Sequence, residues 1–294
     1  MSSELPATEA ANAESAGLDL LETPALVALL VAEHRHAVDA VLAQAVAIAR
    51  AVDAIVARLS RGGSLHYVGA GSSGRIATLD AAEMPPTFGT PPDLVQAHIA
   101  GGIAAFERAV EGAEDDGAAG ERAMDESVGD GDAVVGISAS GGAAFVVAAI
   151  ERARRSGSYT LGVTNVENSP LARVAELTIV LATGPEALAG STRLKAATAQ
   201  KIALNAISTA VMVRLGKVHD NLMIDLIASN AKLRRRALRL VTLLADIGEE
   251  RAREMLDAAE GNVRVAVVMA RRNLDVAQAR ALLDRHAGSL RAVL

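Results

Sequence analysis

Residues 64–75, Ser64-Leu65-His66-Tyr67-Val68-Gly69-Ala70-Gly71-Ser72-Ser73-Gly74-Arg75, decide the fold. The apolar run at 64–68 has the length of a strand, the glycines at 69, 71 and 74 make a tight turn, and a helical pattern follows. Working outward, LVQAHIA (94–100), AVVGI (133–137), YTLGV (159–163) and LTIVL (177–181) repeat the short run, with helical stretches between them. Strands alternating with helices predict an α/β fold in which right-handed crossovers build a mainly parallel sheet. Ligands of such sheets bind beyond the carboxyl ends of the strands, where the 69–74 turn lies.

Composition narrows the function classes. At 294 residues the chain can bury a sizeable core, so neither a disulfide nor a structural metal is needed for stability. It has no cysteine, which excludes disulfides, thiolate metal sites and cysteine nucleophiles. His34 and His36 are close in sequence, but an i,i+2 pair does not face one ion on a helix, so no metal is expected. A net charge of −6 argues against a nucleic-acid partner. No apolar run approaches the ~18 residues of a membrane helix. Residues 1–17 lack the basic start and apolar centre of a signal peptide. The expectation is a cytoplasmic protein without membrane association.

Residues 1–22 read as a flexible N-terminal segment. Thr23 reads as a helix cap before Pro24, and a longer helix is expected at 35–59, ended by Gly62 and Gly63. A long helix is expected at 191–215. Helices at 249–259, 262–272 and 275–286, divided by Gly261, Asn273 and Gly288, read as a small helical C-terminal domain at 246–294. That leaves 23–245 as the sheet domain with its helical preface.

The 69–74 turn is also a phosphate-binding pattern. Glycine lets the backbone approach an anion, the free amides of a helix N-terminus point at it, and Ser72 and Ser73 add hydroxyl donors. The turn lacks the Gly-Lys-Ser/Thr of a nucleotide P-loop and has no GxGxxG. A second version, Ser138-Ala139-Ser140-Gly141-Gly142, follows the third strand. Either turn alone is equally well explained as a tight strand-to-helix connection. Two on one parallel sheet favour a pocket for a phosphosugar, with Gly71, Ser72, Ser73, Ser138 and Ser140 as binding candidates.

Longer stretches carry a resemblance. YVGAGSSGRIATLDAAEMPPTFG (67–89), VEGAEDD (110–116), GPEALAGSTRLKAATAQK (184–201) and LGKVHDNLMIDLIASNAKLRRRA (215–237) are similar to the N-acetylmuramic acid 6-phosphate etherase family of the sugar isomerase (SIS) superfamily. The likeness extends from Thr8-Glu9 to GSLRAVL at 288–294. It implies a three-layer SIS sheet, a homodimer with active sites near the subunit interface, and a phosphosugar substrate with a lactyl ether on C3. Opening the sugar to its aldehyde makes C2–H acidic and places the ether oxygen β to a carbonyl. Elimination and water addition then need positioned acids and bases, but neither metal nor redox cofactor.

The resemblance assigns the two proton-transfer roles to Glu83, in AEMPP, and Glu114, in VEGAEDD. Glu83 is expected at the end of the helix that opens on the first serine turn, stopped by Pro85 and Pro86. There the negative end of the helix dipole favours a protonated carboxyl, suited to protonating the leaving oxygen. Without the resemblance both would read as solvated acids, and Glu111 lies one helical turn from Glu114. Ser191, Thr192 and Lys195 open the GSTRLKAATAQK helix, either to reach a partner's pocket or to cap and pack. Arg75 reads as a structural ion pair, and His66 and His98 as strand histidines. Four departures stand out: Gly142-Ala143-Ala144 where the family has Arg-Thr-Pro, Ser72 for Thr, Ala197 for Gly, and Glu33-His34 for Glu-Asp. The same architecture also serves sugar-phosphate-sensing regulators and aldose–ketose isomerases, neither of which requires both glutamates.

Overall fold

A computed structural model describes residues 6–226, 231–286 and 288–294. The chain divides into two compact units, one holding the chain up to Ala82 with Asp93–Val211, the other Glu83–Pro92 with Met212–Leu294.

After two short 3-10 turns, Ala13–Ser15 and Leu18–Leu20, the first unit continues with α1 (Thr23–Glu33), α2 (Arg35–Ala43) and α3 (Ala45–Leu59). Thr23 is the first helical residue rather than the cap, and Glu22 before it makes no side-chain cap bond. The single helix expected at 35–59 is broken at Gln44, and Thr23–Ala43 meets Ala45–Leu59 at 59°. Neither proline nor glycine marks this break. Val41 and Ile48 on either side of it are both buried. Residues read as a flexible start make specific contacts instead: Asn12 donates to Glu33 at 2.8 Å and Thr8 C=O accepts from Gly190 N–H at 3.2 Å.

There follow β1 (Leu65–Gly69), α4 (Gly71–Phe88), β2 (Val95–Ile99), α5 (Ala104–Glu107), α6 (Gly117–Ser127), β3 (Ala133–Ser138), α7 (Ala144–Arg155), β4 (Tyr159–Thr164), α8 (Pro170–Val174), β5 (Leu177–Val180) and α9 (Lys195–Arg214). The strands form one parallel sheet in the order β2-β1-β3-β4-β5. Every residue of β1, β3 and β4 is buried, while the edge strands β2 and β5 are partly covered. Central parallel strands are covered on both faces, which is why they read as unbroken apolar runs. Successive residues alternate between those faces. Tyr67 turns toward α4 and α9, its hydroxyl donating to Asp80 at 2.9 Å; Asp80 also accepts from Asn205 at 2.6 Å and Ser208 at 3.1 Å. Val68 packs in the opposite layer with Phe145 and Val146 of α7. The result is the three-layer α/β arrangement expected from the sequence.

α4 corrects one expectation. It runs through Pro85 and Pro86 to Phe88, so Glu83 lies inside the helix and the dipole argument for a protonated carboxyl lapses. The stop is Gly89, left-handed at φ +61, whose N–H bonds to Pro85 C=O at 3.0 Å. Likewise α9 starts at Lys195, not at 191.

The second unit contains the hairpin β6 (Val218–His219) and β7 (Leu222–Met223), then α10 (Ala231–Ala245), α11 (Glu249–Ala258), α12 (Val263–Arg272), α13 (Val276–Arg285) and α14 (Leu290–Val293). The hairpin had no counterpart in the sequence reading. α11, α12 and α13 agree with it to within a residue at each end. Leu240 and Val241 of α10 join Leu256, Val267 and Leu283 in one core within this unit. No single helix among the described residues is long and apolar enough to cross a membrane.

Candidate active site

β1 and β3 lie side by side, with Gly69 opposite Ile137. The chain leaves β1 for β2 on one side, then returns past β1 to place β3 on the other. The strand order therefore reverses between β1 and β3, and sheets of this order open a ligand crevice at that point. The two serine turns are the carboxyl ends of these two strands.

In the first turn the backbone is drawn tight. A Cβ on Gly74 would fall 2.6 Å from Ile99 Cγ1, and one on Gly69 would fall 2.7 Å from Gly74. Gly71 is left-handed at φ +53 and exposed, and it begins α4, whose first-turn amides have no helical acceptor. Ser73 is buried and donates to Gln200 Oε1 at 2.7 Å; Gln200 donates on to Asn165 at 3.1 Å, which donates to Leu181 C=O at 2.9 Å. The Ser73 hydrogen is thus engaged inward, leaving its lone pairs and making it a support for the turn. Ser72, half-buried, keeps a hydroxyl with no protein partner among the described residues.

The second turn is built differently. Ser138 Oγ accepts from Gly141 N–H at 3.1 Å and Ser140 Oγ from Gly142 N–H at 3.2 Å. Each serine uses its oxygen on the backbone and keeps its hydrogen to donate, as an anion requires. Gly141 is obligatory, because at φ +68 a Cβ would lie 2.2 Å from Ser169 Oγ.

Glu114 sits exposed in a short 3-10 turn, Ala113–Asp115, entered through left-handed Gly112. That turn lies on the connection that leaves the carboxyl end of β2 and leads through α5 to α6. Glu83 is exposed on the stretch of α4 that belongs to the second unit. At the head of α9 the Glu186 carboxylate, buried and unanticipated from sequence, accepts from Lys195 N–H at 3.1 Å and Ala196 N–H at 2.9 Å. These amides are already served, and Lys195 Nζ lies 2.6 Å from Glu33. Ser191 and Thr192 precede it in a half-buried turn.

Arg75 donates to the carbonyls of Ala105 and Phe106 at 3.0 and 3.1 Å rather than to a carboxylate among the described residues. His66 and His98 stack with Nδ1 and Nε2 3.1 Å apart, and Asp132 lies 3.5 Å from His66. Burial lowers the pKa of both: His98 to about 4, with the His66 charge adding to the effect, while Asp132 partly offsets the drop at His66. Glu14, Glu33 and His36 bring ligand atoms within 4.8 Å of one another, but Glu33 is already bonded to Lys195 and Asn12.

The chain is 47 % identical over 288 residues to N-acetylmuramic acid 6-phosphate etherase of Salmonella dublin, covering 98 % of this chain and 97 % of that one. The Symbiobacterium thermophilum etherase is 49 % identical over 261 residues, 89 % of this chain and 87 % of the other. The Gloeobacter violaceus etherase is 47 % identical, at 98 % and 94 % coverage. The chain belongs to the N-acetylmuramic acid 6-phosphate etherase family.

The SIS domain model matches residues 109–210, and the model of the glucokinase regulatory protein N-terminal SIS domain matches 47–154. Among solved structures, a ligand complex of an E. coli CFT073 protein aligns with a TM-score of 0.50 at 20 % identity, over 68 % of this chain and 97 % of that one, a likeness of fold. Within the etherase family the departure at 142–144 now has a structural meaning. Gly142 closes the second serine turn, and Ala143 caps α7 with no side-chain bond, where Thr-Pro would supply a cap and a first helical residue.

Proposed function

We propose that this etherase-family chain cleaves the D-lactyl ether of N-acetylmuramic acid 6-phosphate, giving N-acetylglucosamine 6-phosphate and D-lactate. It is a carbon–oxygen lyase by family. The observation that carries the reading is the pair of serine turns flanking the β1/β3 crevice in a chain matched along 98 % of its length by an etherase. The first-turn amides of α4, with the hydroxyls of Ser72, Ser138 and Ser140, hold the phosphate and sugar. A base removes the C2 proton of the ring-opened sugar while an acid protonates the C3 ether oxygen. The C3–O bond breaks, a C2–C3 double bond forms, and lactate departs. Water then adds hydroxyl to C3 and a proton to C2. Glu83 and Glu114 are the residues assigned to these transfers, a general acid–base scheme throughout.

The working form is a cytoplasmic homodimer. Its support is apolar side chains along α1–α3 left open to solvent in the single chain, among them Val31 at 66 %, Leu42 at 67 % and Val46 at 77 % exposure. The test is direct: incubation with N-acetylmuramic acid 6-phosphate releases D-lactate in equimolar amount. The match to a glucokinase regulatory protein domain favours one second reading, a sugar-phosphate sensor. Absence of lactate, together with sugar-phosphate-dependent capture of a protein partner, would select it.

A further inference from the structure

Lys217 and Arg264 share one carboxylate in the second unit. Arg264 contacts both oxygens of Asp225, and Lys217 Nζ lies 3.0 Å from Oδ2. The three side chains are only 24, 14 and 11 % exposed for Lys217, Arg264 and Asp225. Two cations against one anion leave a positive charge largely out of water, a costly arrangement without a further partner. Burial, and then the charge of Arg264, hold the Lys217 ammonium below its ordinary value, and burial does the same to the Arg264 guanidinium.

These groups line a cavity of about 1020 Å³ whose walls come wholly from the second unit. Among the described residues six cationic and four acidic side chains line it, and Arg253 pairs outward with Glu249 at 2.8 Å, which leaves a net positive charge on the wall. Arg234 and Arg235 stand exposed at its wall on α10. The first turn of α12 also lines it, adding the positive end of a helix dipole. Leu226, Leu256 and Leu283 give it an apolar side.

We propose that this cavity is a second anion site, taking a phosphate dianion either free or as a small phosphate monoester. A monoester carries ≈ −1.5 to −2 at neutral pH and several acceptor oxygens, which the exposed guanidinium groups of Arg234 and Arg235 can meet beside Lys217 and Arg264. Cavities of this order hold small organic ligands, and guanidinium groups meet phosphate oxygens in pairs. The site does not depend on the etherase reading, because no residue of the serine turns contributes to it.

The experiment uses the full chain with its serine turns weakened by Ser72→Ala, Ser138→Ala and Ser140→Ala, titrated calorimetrically with inorganic phosphate. One phosphate per chain is expected to remain bound. Arg234→Glu with Arg235→Glu, both exposed and tolerant of exchange, should weaken it tenfold or more. Lys217→Gln, with native circular dichroism as a check, should do likewise. Competition by N-acetylglucosamine 6-phosphate would identify a monoester ligand, and its failure would assign the site to free phosphate. Loss of phosphate binding in the serine-substituted chain, or an unchanged affinity after charge reversal, overturns the proposal.

Discussion

Lys195 Nζ lies 2.6 Å from Glu33 Oε2, and both side chains are buried. The first residue of α9 is thereby pinned to the last residue of α1, with Asn12 bonding the same oxygen at 2.8 Å. Burial alone would raise the Glu33 pKa, but the Lys195 bond and charge, with His36 and Asn12, outweigh it and hold the carboxyl below its usual value.

Removing one partner of such a pair leaves an uncompensated charge. Glu33→Ala is expected to cost about 3–5 kcal/mol, while Glu33→Leu combined with Lys195→Met recovers most of it. Urea denaturation checks both. Because the folded pKa is depressed, the Glu33 contribution is full above its unfolded value of 4.5 and is lost as pH falls through the lower folded value. The wild type and the double variant should therefore differ less at pH 7 than either differs from Glu33→Ala.

The parallel sheet was legible because β1, β3 and β4 are buried on both faces and leave continuous apolar runs in the chain. Both serine turns were legible because the same glycine–serine pattern recurs at the ends of two strands of one sheet. What escaped was set by distant packing. Ser73 reads as a phosphate donor until its partner Gln200, 127 residues away, takes its hydrogen. Pro85 and Pro86 read as a helix stop, yet α4 continues to Gly89, which supplies the left-handed residue that ends it. Glu186 carries no spacing signal, since its partners are backbone amides nine and ten residues on.

Glu83→Gln and Glu114→Gln keep shape and remove proton transfer. Each is expected to lower D-lactate release by 10²–10⁴-fold, the usual weight of a general acid or base. Circular dichroism and thermal melting should be unaltered, because both side chains are exposed. Release of lactate at the wild-type rate by either variant removes that residue from the scheme. Glu111→Gln, three residues before Glu114 and across left-handed Gly112 from it, serves as the control and should stay within a few-fold of wild type.

The 142–144 stretch can be returned to the family pattern. Gly142 has an ordinary φ, and a Cβ there would meet nothing nearer than Ser140 Oγ at 3.5 Å, so arginine is sterically admissible. Gly142→Arg should lower KM for the anionic substrate several-fold at low salt, with the gain shrinking as salt screens it. Ala143→Thr with Ala144→Pro should stabilise α7 by about 1 kcal/mol through a side-chain cap and a preset first residue. A KM that stays put across the salt series would mean that position 142 does not face the substrate.

His98 provides a pH handle that is separate from catalysis. Burial first, then the His66 charge, depress its pKa from 6.5 to about 4. A depressed histidine is neutral when folded and gains a proton on unfolding, so its contribution is full above pH 6.5 and drains away between 6.5 and about 4. A tenfold change in proton affinity is worth ~1.4 kcal/mol, so the loss amounts to roughly 2–3 kcal/mol for a group that remains mostly buried. Denaturant midpoints measured at pH 7.5 and pH 5 should differ accordingly. His98→Gln, which cannot titrate, should flatten that difference while leaving lactate release at pH 7.5 near wild type. A variant whose stability falls just as steeply with acid would place the sensitivity elsewhere, with the pair of His66 on β1 and Asp132 just before β3 as the next group to replace.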